Sequence, residues 1–427
     1  MGPQSTFLRF LLKSQWWDAE QLEKFQLAHL KSTVDYARKN VPWYKTGNKG
    51  SLPSPGDFSR LEDFTLYPLT LKKDVFGQSR LFYSRSAANL FARTAYTGGT
   101  TGTPIMLRRN FLSIGIEHAF LRRQWLWAGI TGADRCAYLT GRILLPPDAE
   151  KGPFFDYDPI MKELTLSTYH LTPERSKDYL KAMQTYKVTA LAAYPSAAYA
   201  LARANMENGS KVSLRAVLTS SETLHDEMKS LISKSFGCAV YDYYGSAERV
   251  CSIHTCEEGN YHVLPEYGFT ELSPLDSDGK CRIVSTGFWN RAMPLIRYDL
   301  GDIIVPSKKK CPCGRNFPLV DRIAGRPVEK LVTPSGKELG SALLTHVLYG
   351  AKNIRESQIL QDSADHCFIN FVPAAGFSKP DELELARIAA KYIPSEIRVE
   401  TSRVESIPRT ASGKFRPLVG LSAYEES

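Results

Sequence analysis

Nothing in this 427-residue chain approaches the length of apolar sequence needed to cross a membrane. The start "FLRFLLKSQWW" (7–17) is apolar, but Arg9 and Lys13 interrupt it and no small-residue cleavage site follows. That argues against a signal peptide and a spanning helix; a helix lying on a membrane surface is the remaining membrane reading. Cysteine is scarce, with eight in the whole chain. Without a secretory signal, so few thiols fit a reducing cytoplasm and no disulfide framework. Basic runs are also missing. The net charge is +9, yet "SKKK" (Ser307–Lys310) is the one short cluster. This disfavours a nucleic-acid-binding face and leaves anionic small molecules, or plain solubility, as the meaning of the charge. There is no internal repeat and no low-complexity tract. Finally, the glycine-rich stretch "AYTGGTTGTPIM" (95–106) is not followed by "GK[ST]", which excludes the usual nucleotide-binding loop.

What is present suggests a large α/β protein. Hydrophobic residues make up 43% of the chain, enough for a substantial core and two or three domains. Residues 15–39 read as a helix with Trp17, Leu22, Phe25, Leu27, Leu30, Val34 and Ala37 on its apolar side. Residues 44–70 are loop-rich. Residues 114–130 read as helix and 135–145 as strand. From residue 176 a rhythm sets in: "SKDYLKAMQTY" helix, "VTALAAY" strand, "PSAAYALARANMENG" helix, "LRAVLTS" strand, "TLHDEMKSLISKSFG" helix, "AVYDYYG" strand. Such alternation implies parallel strands covered by helices. After Tyr261 the sequence turns β-rich, and from about Gly325 a compact terminal unit of short strands and helices begins.

Three stretches carry chemistry. Thr97, Gly98, Gly99, Thr100, Thr101, Gly102 and Thr103 combine hydroxyl donors with glycines that let backbone N–H groups approach a ligand. Phosphate binding and a flexible surface turn are both open readings, and the flanks suggest a loop between two strands. "SSE" (Ser220, Ser221, Glu222) and "YYGSAE" (Tyr243, Tyr244, Gly245, Ser246, Ala247, Glu248) each follow an expected strand, where α/β sheets bind ligands. The second could stack a base and hold a metal ion; each could equally be a helix cap or turn. "CPCG" places Cys311 and Cys313 too close for ordinary disulfide geometry, so a zinc site competes with reduced, metal-free thiols. Cys256 and His262 are candidates to complete four ligands, with Cys251 and His254 competing. Cys136, Cys238, Cys281 and Cys367 read as small core residues.

In order along the chain, "TGGTTGTP", "SSE", "YYGSAE", "RYDLGD" (297–302) and "PRTASGKFR" (408–416) resemble the adenylate-forming superfamily of acyl-CoA synthetases, luciferases and adenylation domains. "HAFLRRQWLWAGI", "YPSA", "CPCGR" and "NRAMPLIRYDLGD" are more closely similar to the phenylacetate–CoA ligase family, in the branch labelled capsular polysaccharide biosynthesis proteins. The likeness runs from about residue 15 to 419. It implies that Thr97–Thr103 holds the β- and γ-phosphates of ATP, and that Ser220, Ser221 and Glu222 line the adenine pocket. Tyr244 would stack on the base within the nucleotide-binding stretch Tyr243–Ser246. Glu248 would help bind Mg²⁺, and Asp302 would accept hydrogen bonds from the ribose. Arg326 would lie at the hinge and reach the nucleotide, and Lys414 would be the catalytic lysine. The resemblance also favours Cys256 and His262 as the partners of Cys311 and Cys313 around a structural Zn²⁺.

The chain departs from the family pattern twice. Ile105 stands where relatives often carry a lysine after "TGTP", and the hinge reads "GRPVE", with Val328 at the first of the pattern's two acidic positions and Glu329 at the second. The implied architecture is a large multi-sheet N-terminal adenylation domain (1–325) and a small mobile α+β C-terminal domain (326–427). The implied reaction joins a carboxylic acid to ATP, releases pyrophosphate and passes the acyl group to coenzyme A. Transfer to an amine, a hydroxyl or a carrier-protein thiol is the alternative, and a nucleotide-binding protein without turnover is a weaker one. His118, Arg123, Arg142, Tyr194 and Ser196 are the expected polar groups around the acid, which the aromatic content would suit as an aryl acid. A homodimer stays open as the assembly.

Overall fold

The computed structural model describes residues 3–45, 54–97, 105–146, 149–272, 276–277, 279–325, 330–336, 338–340, 344, 347–348, 351–410 and 414–421. Along the chain, the longer helices are α1 (Pro3–Ser14), α2 (Ala19–Asn40), α3 (Phe111–Trp127), α4 (Pro173–Thr185), α5 (Pro195–Glu207), α6 (Asp226–Phe236) and α7 (Lys379–Tyr392). The strands of the larger part are β1 (Arg93–Tyr96), β2 (Met106–Arg109), β3 (Cys136–Leu139), β4 (Phe155–Asp158), β5 (Glu163–Leu166), β6 (Ala190–Ala193), β7 (Ala216–Ser220), β8 (Ala239–Gly245), β9 (Ser252–Thr255), β10 (Tyr261–Val263), β11 (Gly268–Glu271), β12 (Cys281–Gly287), β13 (Tyr298–Ser307) and β14 (Leu319–Gly325). The C-terminal strands are β15 (Lys330–Val332), β16 (Glu338–Gly340), β17 (Ile354–Ser363), β18 (His366–Pro373), β19 (Arg398–Arg403) and β20 (Leu418–Val419).

Contacts divide the chain into two compact units. One comprises residues 1–99, 103–131 and 241–325. Its strands run in the order β11-β12-β13-β14-β10-β9-β8, every neighbouring pair antiparallel. A separate antiparallel hairpin pairs β1 with β2, Tyr96 opposite Met106, so the glycine-rich stretch does connect two strands. Helix α2 starts at a reciprocal capping box between Asp18 and Gln21, which satisfies two of its orphan N–H groups. The membrane-surface alternative for the N-terminus fails here. Leu11 of α1 is buried with Ile116, Ala119, Phe120 and Phe317, and Phe7, Leu8 and Phe10 pack partly buried against that cluster, so the apolar side of α1 faces the protein.

The second unit comprises residues 100–102, 132–240 and 326–427. Here the expected β–α rhythm is present: β7-β6-β3-β5 pair in parallel and β4 closes the edge antiparallel. Its core interleaves the strand residues Leu164, Leu191 and Val217 with Leu180, Leu201, Ile232 and Phe236 from α4, α5 and α6. Helix α6 ends at Gly237, whose φ of +65° supplies the left-handed cap that a side chain would strain. The C-terminal sheet has the order β19-β18-β17-β20, with Leu385 and Ala389 of α7 packed against Ile359, Ile369 and Phe371.

Candidate active site and metal centre

In the first unit, β8 delivers "YYGSAE" at its C-terminal end. The backbone of Arg249 and Val250 lies directly against Gly287 and Gly268, where a Cβ would collide with it. That close approach fixes the turn after β8, and Arg249 takes a left-handed φ of +62° there. The Tyr244 hydroxyl donates to Asp302 Oδ2 at 2.6 Å. Burial, reinforced by the Asp302 carboxylate, pushes the Tyr244 hydroxyl well above its ordinary range, so it remains a donor. Tyr244 therefore does more than offer a ring: it orients the Asp302 carboxylate. Glu248 is buried and accepts from the Tyr298 hydroxyl at 3.3 Å. The adjacent Ala247 carbonyl accepts from the Arg109 Nε at 2.9 Å, which brings a guanidinium to the Glu248 turn. Glu117 accepts from Tyr267 at 2.6 Å and pairs with Arg249. Sequence reasoning missed Arg109, Glu117 and Tyr267; the signal available for Arg109 was its place just after the glycine-rich loop. Thr97 is buried, and its Oγ1 accepts from the Ile105 N–H at 2.9 Å, closing the base of that loop. Gly98–Thr103 and Arg326 lie outside the described residues.

The same unit assembles the cysteine cluster. Cys256, His262, Cys311 and Cys313 bring four ligand atoms within 4.8 Å of one another. Cys256 and Cys311 sulfurs are 3.6 Å apart, and Cys313 Sγ lies 3.4 Å from His262 Nε2. A disulfide would need about 2.05 Å. Tetrahedral zinc, at about 2.3 Å from sulfur and about 2.0 Å from imidazole nitrogen, sets sulfurs about 3.8 Å apart and sulfur to nitrogen about 3.5 Å. The donor set therefore fits zinc. Burial lowers His262 to about 4, keeping its imidazole neutral for ligation. Burial pushes the Cys311 thiol up, but the Cys313 backbone N–H and the Asn260 amide outweigh it and hold the thiol below its ordinary value. His254 is turned elsewhere, its Nε2 against Ser252 Oγ at 2.9 Å, and the Cys251 sulfur lies 3.5 Å from Thr270 Oγ1. Neither belongs to the cluster.

Arg123 requires a correction. It was expected near the acid, yet it is fully buried and paired with Glu266 at 2.7 Å, while its Nη1 also donates to the Leu11 carbonyl. Ser14 Oγ donates to the same Glu266 oxygen at 2.8 Å. Arg123 thus anchors α1 to the interior. His118, on the neighbouring turn of α3, is exposed.

In the second unit, "SSE" follows β7. Ser221 has a φ of +73°, a left-handed conformation that a non-glycine residue adopts only when its surroundings impose it. Glu222 Oε2 accepts from the Ser196 N–H at 3.0 Å, and its Oε1 accepts from the Phe415 N–H at 2.8 Å. Burial raises the Glu222 carboxyl above its ordinary range, and the two N–H groups partly restore it. Tyr194 is buried at the start of α5. Arg142 is exposed, pairs with Glu163 at 3.3 Å and lies over the Tyr138 ring. Lys414 is partly buried. Its backbone N–H reaches Thr410 Oγ1 at 3.1 Å and its carbonyl accepts from the Thr410 N–H at 2.9 Å.

Comparison with known proteins bears directly on these motifs. The family model described as AMP-binding enzyme matches residues 157–282, and that of the CapK C-terminal domain matches 331–420. Protein CapK of Staphylococcus aureus is 26% identical over 75% of this chain and 72% of its own length. The phenylacetate-coenzyme A ligase of Thermus thermophilus is 24% identical over 73% of this chain and 72% of its own. Among solved structures, 2-hydroxyisobutyryl-CoA ligase in its postadenylation state superposes with a TM-score of 0.72 at 19% identity, covering 96% of this chain and 91% of the ligase. Among the described residues no helix is long and apolar enough to cross a membrane. The paired Tyr244 and Asp302, the buried Glu248 and the tethered Lys414 segment are thus found in a chain that carries an AMP-binding enzyme match and a CapK C-terminal domain match, has the fold of 2-hydroxyisobutyryl-CoA ligase, and has CapK and the phenylacetate-coenzyme A ligases among its relatives.

Proposed function

We propose that the protein activates a small carboxylic acid with ATP and then passes the acyl group to coenzyme A. The observation that carries this reading is the Tyr244–Asp302 pair, a pre-oriented acceptor beside an aromatic ring. In the first step a carboxylate oxygen of the acid attacks the α-phosphorus, the bond to the β-phosphate oxygen breaks, and pyrophosphate leaves. In the second, the coenzyme A thiolate attacks the acyl carbon and AMP departs. Glu248 is the residue to hold Mg²⁺, which would offset phosphate charge. Asp302 binds the ribose, Thr97 and the loop after it the phosphates, and Lys414 places a compact ammonium at the reacting centre. Tyr194 and Ser196 are the better candidates for the acid site. Exposure and an existing ion pair weaken Arg142, and exposure weakens His118. Residues 1–325 and 326–427 act as the large and small domains, swivelling at Arg326–Lys330 between the steps. Cys256, His262, Cys311 and Cys313 close all four positions around a Zn²⁺, which makes the metal structural.

The test is a panel of carboxylic acids, phenylacetate included, assayed for ATP-dependent pyrophosphate release with and without coenzyme A. Acid-dependent release and thioester formation are expected. Release without thioester, but with acylated amine, hydroxyl or carrier thiol, would select the alternative acceptors. No acid-dependent release with any acid would overturn the reading.

A further inference from the structure

Glu222 is assigned to the adenine pocket by resemblance alone, and its geometry suggests a different task. Both of its oxygens already accept a backbone N–H: one from Ser196 at the first turn of α5, the other from Phe415, the residue after Lys414. The segment it grips is otherwise well defined. Phe415 buries its ring with Val372 and Ile407. The Arg409 guanidinium lies 4.7 Å over that ring and pairs with Glu356. Thr410 and Lys414 are joined by two hydrogen bonds. The left-handed Ser221 turns the chain just before Glu222.

We propose that Glu222 is the positioning residue for Lys414: its carboxylate ties the Lys414–Phe415 backbone to the start of α5 and so presets the lysine for adenylation, without contacting adenine. The inference rests on the reading of Lys414 as the catalytic lysine. Its logic is that of preorganisation. A lysine side chain has four flexible bonds, so fixing its backbone within half an ångström is what the protein can contribute. The tie is also releasable. It consists of one hydrogen bond from the Phe415 N–H, and when the C-terminal segment moves away the other carboxylate oxygen still accepts from the Ser196 N–H.

The experiment compares Glu222→Ala, Glu222→Gln and Lys414→Ala, each first shown to melt as a folded protein. With the best acid from the panel, Glu222→Ala should lower kcat for pyrophosphate release roughly tenfold to a hundredfold, with the KM for ATP nearly unchanged. Glu222→Gln keeps one acceptor oxygen and should fall between. An adenine contact would instead raise the KM for ATP and spare kcat, and that result overturns the proposal. In the free enzyme, backbone amide exchange across 414–421 should speed up in Glu222→Ala and stay put in Lys414→Ala; unchanged exchange in Glu222→Ala overturns it as well. A fully active Lys414→Ala would sink the catalytic reading itself. An inactive Lys414→Ala beside a fully active Glu222→Ala would sink this proposal alone.

Discussion

Arg123 and Arg409 each pair with a glutamate, but the two pairs live in different worlds. Arg123 and Glu266 are both 0% exposed, and Ser14 and the Leu11 carbonyl add hydrogen bonds to the pair. Arg409 and Glu356 are 16% and 17% exposed, and they stand beside the segment that carries Lys414. A sealed pair cannot part cheaply, because separation strands a charge where water cannot reach it. A pair that water can partly reach parts at a lower cost than a sealed one. The lesson is that the sealed contacts belong to what must stay fixed, and a bound metal would hold the half-buried cysteine cluster in the same way. The lightly held ones lie beside Lys414, in the segment proposed to move between the two steps.

Each side of that comparison can be broken. The largest expected effect is at the metal. We expect about one zinc per chain by elemental analysis, and Cys313→Ala should lose it together with much of the thermal stability. Pure, active protein without stoichiometric metal would refute the site. Glu266→Ala should come next, costing ~3–5 kcal/mol in a urea titration because Arg123 is left buried and unpaired; a shift below ~1 kcal/mol would mean that water or another group reaches Arg123. Lys414→Ala, on the lightly held side, should leave the fold intact and bind ATP while losing roughly a hundred- to a thousandfold in pyrophosphate release, ~3–4 kcal/mol of transition-state stabilisation. Turnover at the wild-type rate would remove Lys414 from the mechanism. Glu329→Pro should keep pyrophosphate release and lose most acyl transfer, with Val328→Pro milder. Pro327 already fixes its own φ and restrains Arg326, which leaves the pivot to the residues after it. Near-normal transfer in both would show that this linker does not turn. The smallest effect is on pH. Burial holds the imidazoles of His29, His225 and His254 below their ordinary value, so in the fold they stay neutral. The unfolded chain takes up those protons below about pH 6.5, so stability should fall as pH drops through that value and level off above it. Equal urea midpoints at pH 7.5 and 5.5 would contradict this.

Much of the architecture could be read from local pattern. The β–α rhythm from residue 176 to 245 is visible because each element announces its own ends: Pro173 and Pro195 in first turns, Gly237 at a left-handed cap. The strand expected over 135–145 is shorter, Cys136–Leu139, since Gly141 takes a φ of +73° and breaks the extended run. Helix α3 begins three residues before the expected 114, because Asn110 caps it. Local pattern fails where partners are distant. Arg123 looks like any polar helix residue until Glu266, 143 positions later, meets it. Glu222 looks like a pocket residue until Phe415, 193 positions later, claims one oxygen. The cysteine cluster escaped this limit in part because two ligands sit one residue apart, which spacing alone can flag. Arg109 offered only its place just after the glycine-rich loop, since its partner is a backbone carbonyl that sequence cannot mark.

The tie between Ser14 and Glu266 spans 252 residues. On the ribosome, α1 is made early and waits for its counterpart. At ~5–20 residues per second the interval is on the order of 10–50 s. Throughout it Phe7, Phe10 and Leu11 lack Trp289, Tyr267 and Phe317, the later-made side chains of their cluster. Until then α1 has only the earlier-made part of its cluster, Ile116, Ala119 and Phe120, to pack against, and its seating is finished from the far end of the chain.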